Sequence, residues 1–309
     1  MLVTKRDGST QPIDLNKLNA VISWACTGDH KNGLKPIKGV SVSQIEMSAQ
    51  PHFYNKVKTS DIHETIIKAA AGLISLDTPN YDQVAARLRW FDVRKKAFRN
   101  NTPPALLEIV QSNTKKGVYD PDVLKMYSED EWNTIDSFLD HSRDDLFKYA
   151  GAEQMYRKYL VQNRKTKQIY ETFQTPYIMV AAILFSKYPK ETRLDMVKRY
   201  YDQISQHYIS LPTPIMGGLR TKTKQFSSCT LIDSGDSLNS INATATAIVN
   251  YASQKAGIGL NIGRIRAAGQ PVRGGDALTT GVLPFAKYFA AALKSCCVHP
   301  ESIVEIIRE

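Results

Sequence analysis

The run Gln225-Phe226-Ser227-Ser228-Cys229 sets a thiol directly behind two hydroxyls, and Thr230-Leu231-Ile232 follows it. Apolar and β-branched residues after the cysteine, closed by Gly235-Asp236-Ser237, predict a short buried strand with the thiol near its start. A buried cysteine standing alone is most often a small inert hydrophobe, so chemistry at Cys229 has to come from its neighbours. One neighbour is Gly257-Ile258-Gly259-Leu260-Asn261-Ile262, a strand whose glycines let another group approach the backbone. A second set of residues is cationic: Lys5-Arg6, Arg94-Lys95-Lys96, and Lys222 to Lys224. Arginine and lysine suit phosphate by charge and by donor geometry. The third feature is an adjacent pair, Cys296-Cys297. The four cysteines, 26, 229, 296 and 297, have no zinc spacing, so no metal is expected.

The elements that must position these groups fall into three stretches. Residues 1–98 read as a small domain. It opens with a hairpin turning at Asp7-Gly8, followed by a helix capped by Asp14 that carries Leu15, Leu18, Val21, Ile22 and Ala25. A surface loop spans Lys31 to Gly39, a second helix opens at Thr59-Ser60-Asp61, and a third runs from Tyr81 through Lys96. Pro103-Pro104 marks a boundary, and residues 99–209 are mainly helical. Ser128 followed by Glu131 spells a capping box, and Lys165-Thr166-Lys167 sits between two strand-like runs. From 210 to 296 the order strand, helix, strand predicts an α/β layer or barrel, with a helix from Ser237 to Ala256. Asp236 has a plain structural role open to it as that helix's N-cap.

At 309 residues the chain has room for two or three domains. A hydrophobic content of 42% and a charged content of 23% describe a globular protein. The longest apolar stretch, Tyr177 to Phe185, is about half a membrane span, so no membrane is expected. Met1 to Gly8 is charged early and no apolar h-region follows it, which predicts a cytoplasmic chain, in the host cytoplasm for a phage-encoded one. The net charge of +10 admits phosphate-bearing partners. Its lysines and arginines are scattered, and such a surface is more often solvated than bound to nucleic acid.

Four segments carry a resemblance: Leu211-Pro212-Thr213-Pro214-Ile215-Met216, Gln225 to Cys229, Gly235-Asp236-Ser237-Leu238, and Lys255-Ala256-Gly257-Ile258-Gly259. Together they resemble the large (alpha) subunit of class I ribonucleoside-diphosphate reductase, over a span from about Val3 to Cys296. The implied fold is mixed α and α/β: an N-terminal ATP-cone (1–98), a helical domain (99–209), and the incomplete start of a ten-stranded reductase barrel (210–296). The implied reaction replaces a ribose 2′-hydroxyl of a ribonucleoside diphosphate with hydrogen. It needs a thiyl radical, two reducing thiols, a carboxylate base and donors for the phosphates.

On this resemblance Cys229 is the redox thiol on the 2′ side, and Thr213, Ser228 and Gly257 hold substrate. Asp236 and Arg266 match the allosteric specificity site, where dNTP effectors bind. Lys5, Arg6, Lys17, Thr59, His63 and Lys95 match the activity site of the cone, with ATP or dATP as effector. The radical cofactor is expected in a separate small subunit. Other implied partners are a second copy of the chain as a dimer, thioredoxin or glutaredoxin, and the remaining C-terminal part of the large subunit. The sequence shows no further barrel cysteine with nearby Asn and Glu and no C-terminal redox pair, so the chain is expected not to reduce ribonucleotides by itself.

After Cys296 the reductase words stop. Residues 297–309 begin with Cys297, carry Glu301-Ser302, and continue Ile303-Val304-Glu305-Ile306. This tail resembles the first block of an intein, with Cys297 as nucleophile of an N-to-S acyl shift. Its length suits only the N-terminal piece of a split intein. A docking tail and a frameshift are the other readings. Two further functions stand beside the reductase fragment: a stand-alone nucleotide-binding regulatory module, and a nucleic-acid-binding protein.

Overall fold

The computed structural model describes residues 1–5, 8–29, 33–163, 166–254 and 256–296. Arg6, Asp7 and the whole tail from Cys297 lie outside the described residues. The chain divides into two compact units. The first holds Met1–Leu211 and Arg220–Lys222, and the second holds Pro212–Leu219 and the chain from Thr223.

The first unit begins with strand β1 (Leu2–Thr4), antiparallel to β2 (Thr10–Pro12) and parallel to β3 (Val57–Lys58). The expected hairpin is present: Lys5 N donates to Ser9 O at 2.8 Å and Gly8, at φ +86°, donates to Lys5 O at 3.1 Å. A positive φ is cheap for glycine and costly for other residues, which is why a glycine suits this turn. Helix α1 (Leu15–Thr27) is capped as expected by Asp14, which accepts from Lys17 N at 3.2 Å. Its inner face is Ile22, Ala25 and Cys26, whereas Leu15 is exposed.

Helix α2 (Val42–Ala49) is an element absent from the sequence reading. Its signal was legible: Ser41 is an N-cap accepting from Gln44 N, and Ile45 and Ala49 recur at helical spacing. Helices α3 (Thr59–Gly72) and α4 (Tyr81–Phe98) complete a core built on Ile22, Ile45, Ile66, Ile67, Val84 and Leu88.

Helices α5 (Leu106–Lys115), α6 (Pro121–Leu124) and α7 (Glu129–Ser137) follow, the last with the expected Ser128–Glu131 capping box. Helix α8 (Tyr149–Gln154) runs straight into one π-helical turn, Met155–Tyr159. A short hairpin, β4 (Gln162–Asn163) with β5 (Gln168–Ile169), leads to the buried helix α9 (Gln174–Phe185) and to α10 (Lys190–Ser205). Between β5 and α9 the carboxylate of Glu171 is fully buried. It accepts from Arg220, from Tyr119 Oη at 2.5 Å and from Val161 N at 2.7 Å.

The second unit opens with α11 (Thr213–Gly218). Strand β6 (Cys229–Asp233) then crosses through α12 (Leu238–Ser253) to the parallel strand β7 (Gly257–Asn261). A small hairpin, β8 (Pro271–Val272) with β9 (Ala277–Leu278), precedes α13 (Val282–Cys296). Ile241, Ala245, Ile248 and Ala252 of α12 meet Phe289 and Leu293 of α13 and Ile258 of β7. Leu238, expected on that apolar face, is 68% exposed at the helix start.

The expectation of a buried strand at Cys229 is corrected by its alternation. Ile232 turns to the α12–α13 core, while Cys229 and Leu231 face the other way, with Leu231 87% exposed. Successive strand residues point to opposite faces, and among the described residues only one face of β6 has a core against it.

Glu171 gives the first unit a sharp stability test. Removing one partner of a buried pair leaves an uncompensated charge and costs about 3–5 kcal/mol. Glu171→Ala should lower the free energy of unfolding of the first unit by that amount. Urea denaturation followed by fluorescence reads it cleanly, since Trp24, Trp90 and Trp132 all lie in that unit. A change below about 1 kcal/mol would mean that Arg220 finds another partner.

Candidate functional site

Two groups of residues converge, one in each unit. In the first unit the β1–β3 register pairs Thr4 with Lys58; Lys5 follows Thr4 into the hairpin, and Thr59 follows Lys58 into a helix. Thr59 opens α3, and no side chain caps that helix. Unsatisfied amides and the helix dipole make such an end attractive to an anion. His63 lies one turn further on, its ring stacked on Phe91 of α4 at 5.8 Å and 23°. Lys95, one turn beyond Phe91, holds its Nζ 5.5 Å from the centroid of the same ring. His63 and Lys95 therefore meet at the ring of Phe91, one turn along α3 from Thr59.

Lys17 stands in the first turn of α1, 3.4 Å from Asp14 Oδ2, in a depression lined by Gln11 to Lys17. Its neighbour Leu18 packs against Val3, Val57 and Ile62, which ties that turn to the same sheet and helix. Arg6 is outside the described residues. The aromatic floor escaped the sequence reading: Phe91 with Trp24 at 5.2 Å, and Trp24 in turn edge-on to Trp90 at 5.0 Å. Its signal was the spacing of Phe91 and Lys95, four residues apart on one helix face.

In the second unit Cys229 and Gly257 are directly paired across β6 and β7, and Gly257 N donates to Ser228 O at 2.8 Å. A Cβ at position 257 would stand 3.3 Å from Ser228 O and 3.7 Å from Cys229 Sγ. Glycine thus keeps the space beside the thiol open. Ser228 and Cys229 are both exposed. Thr213, half-buried, opens α11 in the same unit.

At the far end of the strand pair Asp236 meets Arg266. Oδ2 lies 2.6 Å from Arg266 Nε, and Oδ1 accepts from Arg266 N at 2.9 Å. These contacts, the backbone one foremost, hold the Asp236 carboxyl below its ordinary range. The helix cap is not Asp236 but Ser237, whose hydroxyl accepts from Ser240 N at 3.2 Å. Asp236 is thereby left to its arginine. A parallel pair, Asp233 with Arg264 at 2.7 Å and Asn261 Nδ2 at 3.1 Å, ties the ends of β6 and β7.

Among the described residues no helix is long and apolar enough to cross a membrane. No group of three or more His, Cys, Asp or Glu could hold a metal among them.

The sequence matches three domain families in order. They are the ATP cone domain over residues 1–96, the ribonucleotide reductase all-alpha domain over 145–224, and the ribonucleotide reductase barrel domain over 227–298. Two of these three families, the second and the third, are described as ribonucleotide reductase domains. The cone match spans β1 to α4, and the barrel match takes in β6 to α13, the start of that domain.

The chain is 56% identical over 296 residues to the ribonucleoside-diphosphate reductase 1 subunit alpha of Escherichia coli K12, covering 96% of this chain and 38% of that protein. It is 41% identical to the ribonucleoside-diphosphate reductase subunit alpha of Enterobacteria phage T4, with 95% and 38% covered. For the Synechocystis subunit alpha the identity is 30%, with 92% and 35% covered. The chain thus spans well under half the length of these reductase subunits.

Among the described cysteines the reductase barrel and the cone treat their thiols oppositely. Burial pushes the Cys26 thiol up to about 11, with Arg87 opposing only in part, while Cys229 is exposed. A thiol-specific alkylating reagent at neutral pH should modify Cys229 in the folded chain and leave Cys26 untouched until denaturant is added. Peptide mass mapping checks this, and equal labelling of the two would contradict the exposed placement of Cys229.

Proposed function

We propose that this chain is the N-terminal piece of a class I ribonucleoside-diphosphate reductase large subunit, reducing ribonucleoside diphosphates for DNA synthesis once the rest of the barrel is joined to it. The observation that carries the reading is the pairing of Cys229 with Gly257 inside a matched reductase barrel segment. Cys229 serves as one of the two reducing thiols: the ribose C2′–O bond breaks, the oxygen leaves as water, and the two thiols become a disulfide. Ser228 and Thr213 hold substrate through their hydroxyls, and Gly257 leaves room for the ribose beside the sulfur. Asp236 and Arg266 bind a dNTP effector, the carboxylate on a ribose hydroxyl and the guanidinium on phosphate. Reaction partners are a radical-generating small subunit, a second copy of the large subunit, and thioredoxin or glutaredoxin acting on cysteines outside this chain. The working compartment is the cytoplasm.

The part of the barrel beyond Cys296 is supplied by a second polypeptide, through trans-splicing initiated by Cys297 or through non-covalent assembly. Leu231, 87% exposed, lies on a strand face that further barrel elements would cover, which supports completion of the barrel by residues beyond this segment. Mixing the chain with a polypeptide carrying the remaining barrel and the small subunit should restore reduction of a ribonucleoside diphosphate. Cys229→Ser should abolish it, because a hydroxyl cannot form the disulfide. Intact mass of the product decides the joining. Loss of residues 297–309 that Cys297→Ala prevents means splicing, and an active complex retaining them means docking. Activity in Cys229→Ser would overturn the redox assignment.

The cone binds an adenine nucleotide through Lys5, Thr59, His63 and Lys95, with Arg6 and Lys17 as further contacts. Replacing both Lys5 and Arg6 by alanine removes two charge-assisted contacts worth roughly 1.5–3 kcal/mol each, so ATP affinity should fall at least about tenfold. Equilibrium dialysis measures it, with single-stranded DNA as the competing ligand class. Unchanged ATP affinity in the double variant would sink the cone assignment, and DNA binding without ATP binding would favour a nucleic-acid role.

A further inference from the structure

Beside the proposed nucleotide site, and not part of it, lies a buried ionic group. Glu64 follows His63 on α3 and grips Arg89 of α4 with both oxygens, at 2.8 and 3.0 Å. Arg89 is 0% exposed. Its Nε donates to Glu153 of α8, and its guanidinium lies 4.5 Å over the ring of Tyr156 in the π-helical turn. Lys96 joins from the same helix, 4.8 Å over that ring, 3.2 Å from Tyr156 Oη and 2.5 Å from buried Asp92. Glu153 gives its other oxygen to Arg157 at 2.7 Å.

We infer that Arg89, held between Glu64 and Glu153, couples nucleotide occupancy of the cone to the conformation of the π-helical turn at residues 155–159. This rests on the proposed cone site. Its physical basis is the cost of leaving a buried charge unpaired, which forbids Arg89 from letting go of either carboxylate independently. An anion settling against Thr59 and His63 acts on the first turn of α3, and Glu64 is the next residue. A bidentate contact transmits that displacement, because rotation of one side chain cannot absorb it.

At the other end stands the π-helical turn Met155–Tyr159, continuing directly from α8. A π-turn is rare, and where one occurs within helical structure it is frequently at a functional site. Rewinding Met155–Tyr159 to α shifts every following side chain by about one position. The ring of Tyr156, clamped by Arg89 and Lys96, is what such a shift would move. The start of α8 is pinned separately: Tyr149 N donates to Asp82 Oδ1 at 2.8 Å, and Arg87 grips Asp145 at 2.7 and 2.8 Å. The response therefore concentrates at the end of α8 and in the turn. Beyond the turn the chain passes directly to Val161, whose N–H is bound to the buried Glu171.

Hydrogen–deuterium exchange on the full chain, with and without saturating ATP, tests this. ATP should change exchange of the 155–159 amides by about fivefold or more, the lower end of ordinary coupling. In Glu153→Gln that change should vanish while ATP affinity by equilibrium dialysis stays within about twofold of the starting chain and the α3 amides still respond. Arg157 is largely exposed, so Arg157→Ala should fold normally. It leaves Glu153 to Arg89 alone and should enlarge the ATP-dependent change at 155–159. ATP binding without any change at 155–159, an undiminished change in Glu153→Gln, or no enlargement in Arg157→Ala would each overturn the coupling while leaving the cone reading intact. Absence of ATP binding would overturn the cone reading and the coupling with it.

Discussion

Burying charge is costly unless every charge is paired, and α4 buries Arg87, Arg89, Asp92 and Arg94. The partners come from far along the chain. Arg87 takes Asp145, Ala25 O and Lys35 O, Arg89 takes Glu64 and Glu153, and Arg94 takes Asp144 and His141 O. Asp144, Asp145, Glu153 and His141 lie outside residues 1–96, while Glu64, Ala25 and Lys35 lie within them. Residues 1–96 and the segment from 140 to 153 must therefore fold around the same helix. That is why the cone and the all-alpha region, separate as sequence families, make one compact unit here. Interfaces between domains of one chain are ordinarily polar and loose. This one is polar but tight: the arginines of α4 are buried, and their carboxylate partners reach the surface only in part.

The same constraint explains what the sequence hid. Hairpins, caps and the amphipathic faces of α1, α3 and α12 were legible because their signals are local: Asp14 before Leu15, Ser128 three residues before Glu131, apolar residues every third or fourth position. With seven charged residues in eighteen, α4 reads as a solvated helix. Its burial depends on carboxylates about 50 to 65 residues away, which no local pattern specifies. Helix α2 was missed for a different reason. Its cap and spacing were present, but eight residues beside a Gly/Pro/Lys-rich loop gave a weak periodic signal.

Asp236 and Ser237 show where local reasoning stays ambiguous. Both residue types cap helices well, and both stand before the same helix. The backbone gives the cap to Ser237, at φ −93° and ψ 150°, and the choice is fixed by Arg266, thirty residues on, which engages both oxygens of Asp236. Sequence resemblance had paired the acid with the arginine. The capping alternative falls away only because the tertiary contact is seen.

Cys26 and Cys229 carry the last step. They are the same side chain, and composition alone treats both as small hydrophobes. Cys26 sits in the cone core, where burial raises its thiol to about 11 and removes the thiolate on which exchange chemistry depends. Cys229 stands on the open face of a parallel strand, opposite a glycine whose missing side chain leaves the sulfur approachable. A Cβ at 257 would crowd the Ser228 carbonyl at 3.3 Å and lie against the sulfur at 3.7 Å, so glycine serves both the strand pairing and the space beside Cys229. Its absent side chain is used in front of the strand, beside a sulfur that another molecule can reach.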